Sequence, residues 1–120
     1  MGKNGVRIGS VVFDVKDFRI MRDFWQNALG YDQPRPTKPG DDFTILKDSS
    51  GRGPNISIDG MEPYRNRIHL DLYTEDHDGE VRRLLGLGAT IFRSREEGED
   101  FTVLADPEGN LFCVVDTRGG

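Results

Sequence analysis

The chain has 120 residues with a formal net charge of −5, and 35% of its residues are hydrophobic. This is the size and composition of one soluble globular domain, and the lack of Lys and Arg clusters argues against a nucleic-acid partner, because binding to phosphate backbones depends on clustered positive charge. The apolar runs span only a few residues, which argues against a membrane-spanning helix.

The first half of the chain begins with a predicted strand and a predicted helix. Apolar side chains alternate with others in Val11–Val15, which is typical of a half-buried strand. In Phe18–Leu29 they recur at helical spacing, with Asp17 as a suitable N-cap ahead of the segment and Gly30 as a suitable end behind it. We therefore expect a helix with these bounds.

Three more strands are predicted after this helix, at Tyr31–Arg35, Phe43–Lys47 and Asn55–Asp59. The segment Pro34–Asp42 contains three prolines and is expected to form a loop over one edge of the sheet. The residues DSSGRGP between the last two strands favour a turn, because Asp, Ser, Gly and Pro each suit turn conformations.

The second half of the chain repeats this order of elements. The segment DFTILKDSSG, which begins at Asp42, returns as DFTVLADPEG at Asp100, 58 residues later. The sequence therefore predicts an α+β fold, a single domain over residues 1–120 made of two βαβββ repeats, 6–60 and 66–117, joined by Met61–Arg67. The elements of the second repeat are strands at Ile68–Leu72, Thr90–Ser94, Phe101–Ala105 and Leu111–Asp116 and a helix at Glu80–Leu87.

Two features of the sequence bear on the cellular compartment. The N-terminal residues MGKNGVRIG lack the apolar segment of a secretory signal. Cys113 is the only cysteine, so no internal disulfide can form, and this suits a reducing compartment. We expect a cytoplasmic protein.

Several segments resemble the vicinal oxygen chelate superfamily, the group of glyoxalases, bleomycin-resistance proteins and dioxygenases. They are DFWQNALGY, RIHLDLYTED, LGLGAT and DPEGNLFCVVD, and the likeness covers Val6–Asp116. The resemblance implies a curved mixed sheet around a cavity between the two repeats, with the helices outside. It also implies a homodimer with a small organic molecule as ligand.

On such a fold, the alternation of side chains along each strand assigns residues to faces. Ile68, Leu70 and Leu72 are expected under the helices, as are the apolar residues of Val11–Val15. The sense of Phe43 and Phe101 stays open, since they could line the cavity or pack under the helices. The side chains expected to face the cavity are Ser10, Val12, Asp14, Ser57, Asp59, His69, Asp71, Tyr73 and Cys113.

Many members of the superfamily hold a divalent metal with His and Glu side chains from the first and fourth strands of each repeat. In this chain His69 keeps one such ligand, whereas Ser10 and Cys113 occupy positions of two others. His69, Asp59 and a Cys113 thiolate could form a three-ligand site. Serine is a poor ligand, however, and a cysteine within LFCVV is typical of a packed residue. We therefore expect no cofactor, with a divalent metal at His69 as the alternative.

Two functions are compatible with these residues. The first is a metal-free protein that binds a small organic molecule, with Asp14, Asp59 and Asp71 suited to a cationic ligand. The second is a glyoxalase-like lyase, isomerase or epimerase in which His69 binds a metal or acts as a general base oriented by Asp71. A regulatory module is a third class, and no residue favours it. His77, among acidic residues, is expected at the surface.

Overall fold

The structure is a computed structural model that describes residues 5–61 and 67–118. Residues 62–66, which make up most of the predicted connection Met61–Arg67, lie outside this part of the chain. Among the described residues, no helix is long and apolar enough to cross a membrane.

The predicted α+β class with a mixed sheet is confirmed, because the described residues form two helices and seven strands that pair in both parallel and antiparallel fashion. The chain divides into two compact units, Ser10–Ile68 (the first-repeat unit) and Met1–Gly9 with His69–Gly120 (the second-repeat unit). The repeat bounds 6–60 and 66–117 and the cavity between the repeats stay predictions. The elements are β1 (Val6–Asp14), α1 (Phe18–Leu29), β2 (Phe43–Leu46), β3 (Asn55–Asp59), β4 (Ile68–Thr74), α2 (His77–Gly86), β5 (Thr90–Arg93), β6 (Phe101–Ala105) and β7 (Leu111–Asp116).

In the first-repeat unit, β3 lies between β2 and β1, antiparallel to the former and parallel to the latter. One face of these strands packs against α1, where the Phe13 and Trp25 rings meet edge to face with centroids 4.9 Å apart. Helix α1 has the predicted bounds because the Asp17 side chain accepts a hydrogen bond from the Ile20 amide and Gly30 adopts the left-handed conformation at φ 67°.

In the second-repeat unit, β7 lies between β4 and β6, and β5 pairs with the outer edge of β6. Helix α2 begins at His77, three residues before the predicted start at Glu80. The Asp76 side chain caps it by accepting from the Gly79 amide at 3.1 Å. Gly79 disfavours a helix, so the sequence analysis did not include the first turn of α2, which this cap stabilises.

The predicted strand Tyr31–Arg35 does not form, and Asp32 makes only an isolated bridge to Lys47. The bridge has two backbone hydrogen bonds, at 2.8 and 2.9 Å, and Pro34 follows two residues after Asp32. Since proline has no amide hydrogen to donate, the pairing cannot continue through it. The sequence prediction was wrong here because it gave the repeated order of elements more weight than the prolines.

The expected burial of β4 under a helix is also wrong in part. Ile68 and Leu70 are 52% and 37% exposed, although they lie on the face of β4 that the sequence analysis assigned to the helix. Helix α2 has only 10 residues and packs against β7. Leu70, which belongs to the same unit as α2, is left partly exposed.

The repeated sequence motif corresponds to two hairpins with the same local chemistry. Asp106 accepts hydrogen bonds from the Glu108 and Asn110 amides in the second, and Asp48 accepts from the Ser50 and Gly53 amides in the first. A glycine with positive φ follows three residues after each aspartate, Gly51 at 74° and Gly109 at 90°. The motif is thus repeated because it builds the turn of each hairpin.

The hydrogen bonds at Asp48 predict how stability depends on pH. The side chain and amide of Ser50, with the Gly53 amide, lower the pKa of Asp48 to about 2. The stabilisation by this carboxylate is therefore complete above the ordinary aspartate pKa of about 3.9 and is lost as the pH falls towards 2. In Asp48→Asn we expect a lower melting temperature at neutral pH and a smaller further decrease on acidification. The exposed control Glu97→Gln should keep the parental profile, and an Asp48→Asn profile parallel to the parent would contradict the assignment.

Candidate functional site

Three side chains with different chemistry meet on the second-repeat unit, on the sheet face opposite α2. His69 and Asp71 alternate on β4, and Cys113 on β7 is the register partner of Asp71. The ligand atoms of all three lie within 4.8 Å of one another, with 3.5 Å between His69 Nε2 and Asp71 Oδ1. We call His69, Asp71 and Cys113 the polar trio.

The surroundings of the polar trio are apolar. Cys113 packs with the buried side chains of Val103, Ala105 and Leu111, and the ring of Phe101 lies against the same cluster. The side chains of His69 and Asp71 remain 17% and 19% exposed. The trio is therefore accessible to a small molecule but largely shielded from bulk water, which strengthens its polar interactions.

Burial raises the pKa of the Cys113 thiol, and the negative charge of Asp71 raises it further, while hydrogen bonding to His69 opposes the shift. A raised pKa keeps the sulfur protonated at neutral pH, so the group is a weak nucleophile. The arrangement therefore does not favour covalent catalysis by Cys113. It favours hydrogen bonding or metal binding, in which a metal would displace the thiol proton.

Tyr73 continues the same face of β4. Burial, followed by the charge of Asp71, raises the pKa of its phenol, and the Arg7 guanidinium lies over its ring at 5.0 Å from the centroid. Gly9 makes room for this ring, since a Cβ at this position would overlap it. The face therefore presents a neutral phenol and a cation near the polar trio.

The first-repeat unit carries a different polar group at the equivalent strand positions. The Ser10 and Ser57 hydroxyl oxygens are 2.6 Å apart, and Ser10 Oγ also donates to the Asn55 carbonyl at 3.3 Å. Both serines are almost completely buried, at 0% and 1% exposure, as is the neighbouring Val12 at 2%. The two hydroxyls satisfy each other, which is what a buried polar pair requires.

The strand registers also determine on which face of the sheet the side chains of Phe43 and Phe101 lie. Phe43 pairs with Asp59, which in turn pairs with Asp14, on the face opposite the α1 core. Phe101 pairs with Val115 and lies on the same face as Cys113. Both rings thus lie on the non-helix face of their own unit.

The predicted site residues fall into two groups. Ser10, Val12, Asp14, Ser57 and Asp59 share the non-helix face of the first-repeat unit. The polar trio shares that of the second. Among residues 5–61 and 67–118, the group of potential metal ligands is His69, Asp71 and Cys113. The three-ligand site of His69, Asp59 and Cys113 would join the two units and stays a prediction.

His77 was expected at the surface, and this prediction was wrong. It is 4% exposed, with Nδ1 at 2.8 Å from Asp78 Oδ1 and Nε2 at 2.9 Å from Thr102 Oγ1. Thr102 lies on the α2 face of β6, so His77 fastens the start of the helix to the sheet. The sequence analysis placed His77 at the surface because its sequence neighbours are acidic, and sequence alone does not indicate a partner 25 residues away.

Comparison with known proteins agrees with this architecture. The sequence profile of the glyoxalase-like domain matches residues 10–115, and the chain belongs to this family. It is a member of the glyoxalase, bleomycin-resistance and dioxygenase superfamily, as the resemblance of its motifs implied. No curated protein sequence matches the chain.

Solved structures share the fold at low sequence identity. An NAD-dependent benzaldehyde dehydrogenase from Legionella pneumophila aligns with a TM-score of 0.67 and 18% identity, over 88% of this chain and 96% of that one. A glyoxalase/bleomycin resistance protein/dioxygenase superfamily member from Vibrio splendidus 12B01 gives 0.63 and 14%, over 91% and 97%. Methylmalonyl-CoA epimerase from Mycobacterium tuberculosis gives 0.56 and 16%, over 90% and 85%.

The environment of Cys113 predicts its reactivity, which is simple to measure because the chain has no other cysteine. Alkylation by iodoacetamide should be slower at neutral pH than that of a free cysteine. As the pH is raised past the ordinary thiol pKa of about 8.5, the rate should continue to increase. Asp71→Asn removes a charge that raises the pKa, so the rate profile should shift to lower pH. Glu97→Gln, an exposed control, should leave it unchanged. A parental profile that levels off at the ordinary cysteine pKa would contradict this account.

Proposed function

We propose that this glyoxalase-like protein binds a small organic molecule over the polar trio and that binding does not require a metal. The observation that carries the proposal is the setting of the trio, three polar side chains grouped against a buried apolar cluster, with the rings of Phe101 and Tyr73 on the same face. Small-molecule sites generally combine an apolar lining with a few convergent polar groups.

The side chains suggest which ligands suit the site. The partly exposed Phe101 ring, which lies against the buried cluster of Val103, Ala105 and Leu111, offers an aromatic surface for a planar group, with the Arg93 guanidinium 5.5 Å from its centroid. Asp71 offers a carboxylate that is 19% exposed, in a chain whose net charge is −5. An aromatic molecule with a positive charge fits both features, as does a drug of the kind sequestered by bleomycin-resistance proteins. Asp14 and Asp59 remain candidate carboxylates on the first-repeat unit.

The serine pair supports binding without a metal. In the metal-dependent members implied by the resemblance, ligands come from both repeats. Here the first-repeat positions hold Ser10 and Ser57, whose hydroxyl groups are buried and bonded to each other. Hydroxyl groups are poor ligands for the divalent ions that this superfamily binds, and recruiting these two would break a buried hydrogen bond.

A titration with bleomycin, a cationic drug, tests the proposal. We expect saturable binding that weakens with salt and falls about fivefold in Asp71→Asn, as the loss of one partly screened ion pair of about 1 kcal/mol predicts. Glu97→Gln changes the net charge equally at an exposed position and should bind like the parent. Parental affinity and salt dependence in Asp71→Asn would count against a cationic ligand. Titration of a neutral aromatic would then decide whether the face binds organic molecules.

A metal-dependent lyase, isomerase or epimerase is the second candidate, and the polar trio itself favours it. One nitrogen, one oxygen and one sulfur ligand within 4.8 Å of one another suit Zn²⁺ or Co²⁺, with a fourth position for water or substrate. A bound metal would act as a Lewis acid on the substrate. The similarity in fold to methylmalonyl-CoA epimerase is compatible with such an activity.

Metal content and melting curves distinguish the two candidates. If the protein is a metal-dependent enzyme, one Zn²⁺ or Co²⁺ should bind per chain and raise the melting temperature. At a free metal concentration a hundred times Kd, binding should add about 2.7 kcal/mol to the free energy of unfolding. The effect should disappear in His69→Ala and Cys113→Ala and should weaken at acid pH, because the thiol must lose its proton. The control Cys113→Asp retains a ligand oxygen and should keep part of the shift. Ligand binding that survives chelator treatment would support the first candidate.

We further propose a homodimer in the cytoplasm. The exposed apolar side chains of Ile68 and Leu70 on β4 support self-association, and the single cysteine suits a reducing compartment. The mass of the purified protein in solution, measured by light scattering across concentrations, tests the dimer.

A further inference from the structure

A second concave site lies on the first-repeat unit, between the loop that follows α1 and strand β2. It is a pocket of about 270 Å³, near the lower end of the range of small-molecule sites, about 300–1,000 Å³. Its size suits a ligand of one ring with a short substituent. The loop contributes Pro34, Arg35 and Pro36 to one wall, and the β2 side contributes Phe43, Ile45 and Lys47.

The loop wall is held in place by hydrogen bonds at several points. Arg22 Nη1 donates to Thr37 Oγ1 at 2.6 Å, and the Thr37 amide donates to Gln33 Oε1 at 3.0 Å. The double backbone bridge between Asp32 and Lys47 ties the start of the loop to the end of β2. A ligand would therefore meet a preformed pocket, and little binding free energy would be lost in ordering it.

The β2 wall offers an aromatic surface. The Phe43 ring is 44% exposed although it belongs to a strand, and it lies on the non-helix face because Phe43 pairs with Asp59. Pro34 and Pro36 add apolar surface across the pocket. A planar ring inserted between these walls would remove apolar surface on both sides from water.

The charges in the pocket are mainly positive. Arg35 and Lys47 are both exposed, and in the described part of the chain neither has an acidic partner. The one carboxylate, that of Asp41, accepts a hydrogen bond from the Lys38 amide at 2.8 Å. Two cations beside an open aromatic wall favour an anionic ligand.

We propose that this pocket binds a small aromatic carboxylate, with its ring against Phe43 and its carboxylate at Arg35 and Lys47. Arginine binds a carboxylate through two parallel hydrogen bonds, and lysine adds a point charge. All of the residues that form this pocket belong to the first-repeat unit.

Benzoate titrated into the isotope-labelled protein and followed by NMR tests this site. We expect millimolar affinity, with the largest amide shifts at Thr37, Phe43 and Lys47. The double variant Arg35→Gln/Lys47→Gln should lose about tenfold in affinity, as two exposed ion pairs predict. Lys16→Gln/Arg19→Gln makes the same change in net charge at exposed positions and should bind like the parent.

Matched ligands and a third variant complete the test. Benzamide, which is neutral, and cyclohexanecarboxylate, which has no aromatic ring, should each bind more weakly than benzoate. Phe43→Leu should weaken benzoate, and His69→Ala should leave it unchanged, with melting curves to show that each variant folds. The proposal is overturned if benzamide binds as tightly as benzoate, if the Arg35→Gln/Lys47→Gln variant binds like the parent, or if the shifts fall around His69.

Discussion

The parallel pairing of β4 with β7 is the constraint on which the candidate site depends. Its register places Asp71 opposite Cys113 and therefore brings His69, two residues away on the same strand face, to both. A shift of β4 by one residue would turn His69 and Asp71 towards α2 and bring Leu70 and Leu72 to the site in their place. The hydrogen bond of His77 to Thr102 and the packing of α2 on β7 hold the other face, so the geometry of the site is supported from behind.

The two units use the same sheet positions for different purposes. In the first-repeat unit the positions are buried and satisfied internally, as Ser10 and Ser57 show. In the second-repeat unit His69 and Asp71 keep part of their surface exposed, and His69 Nε2 lies 3.5 Å from Asp71 Oδ1. The second-repeat unit thus carries the polar trio on its sheet face, whereas the first-repeat unit has positive charges beside β2, at Arg35 and Lys47.

Local signals in the sequence predicted those parts of the fold that local interactions determine. The bounds of α1 were correct because Asp17 and Gly30 fix both ends, and alternation placed His69, Asp71 and Cys113 on one face. The prediction failed where distant partners decide. His77 is buried because Thr102, 25 residues away, bonds to it, and Leu70 is 37% exposed although alternation assigned it to the face under the helix. The third member of the site depended on strand register, which sequence spacing alone does not give.

The hydroxyl pair of Ser10 and Ser57 has a consequence for the history of a duplicated fold. A repeat that loses its reactive side chains leaves polar positions in the interior, and these normally carry a free-energy cost unless they find partners. Two serines on adjacent strands become each other's partners at 2.6 Å, so one repeat can carry hydroxyl groups in its interior without harm to folding. The equivalent positions of the other repeat, among them His69 and Cys113, can then change in sequence while its twin preserves the architecture.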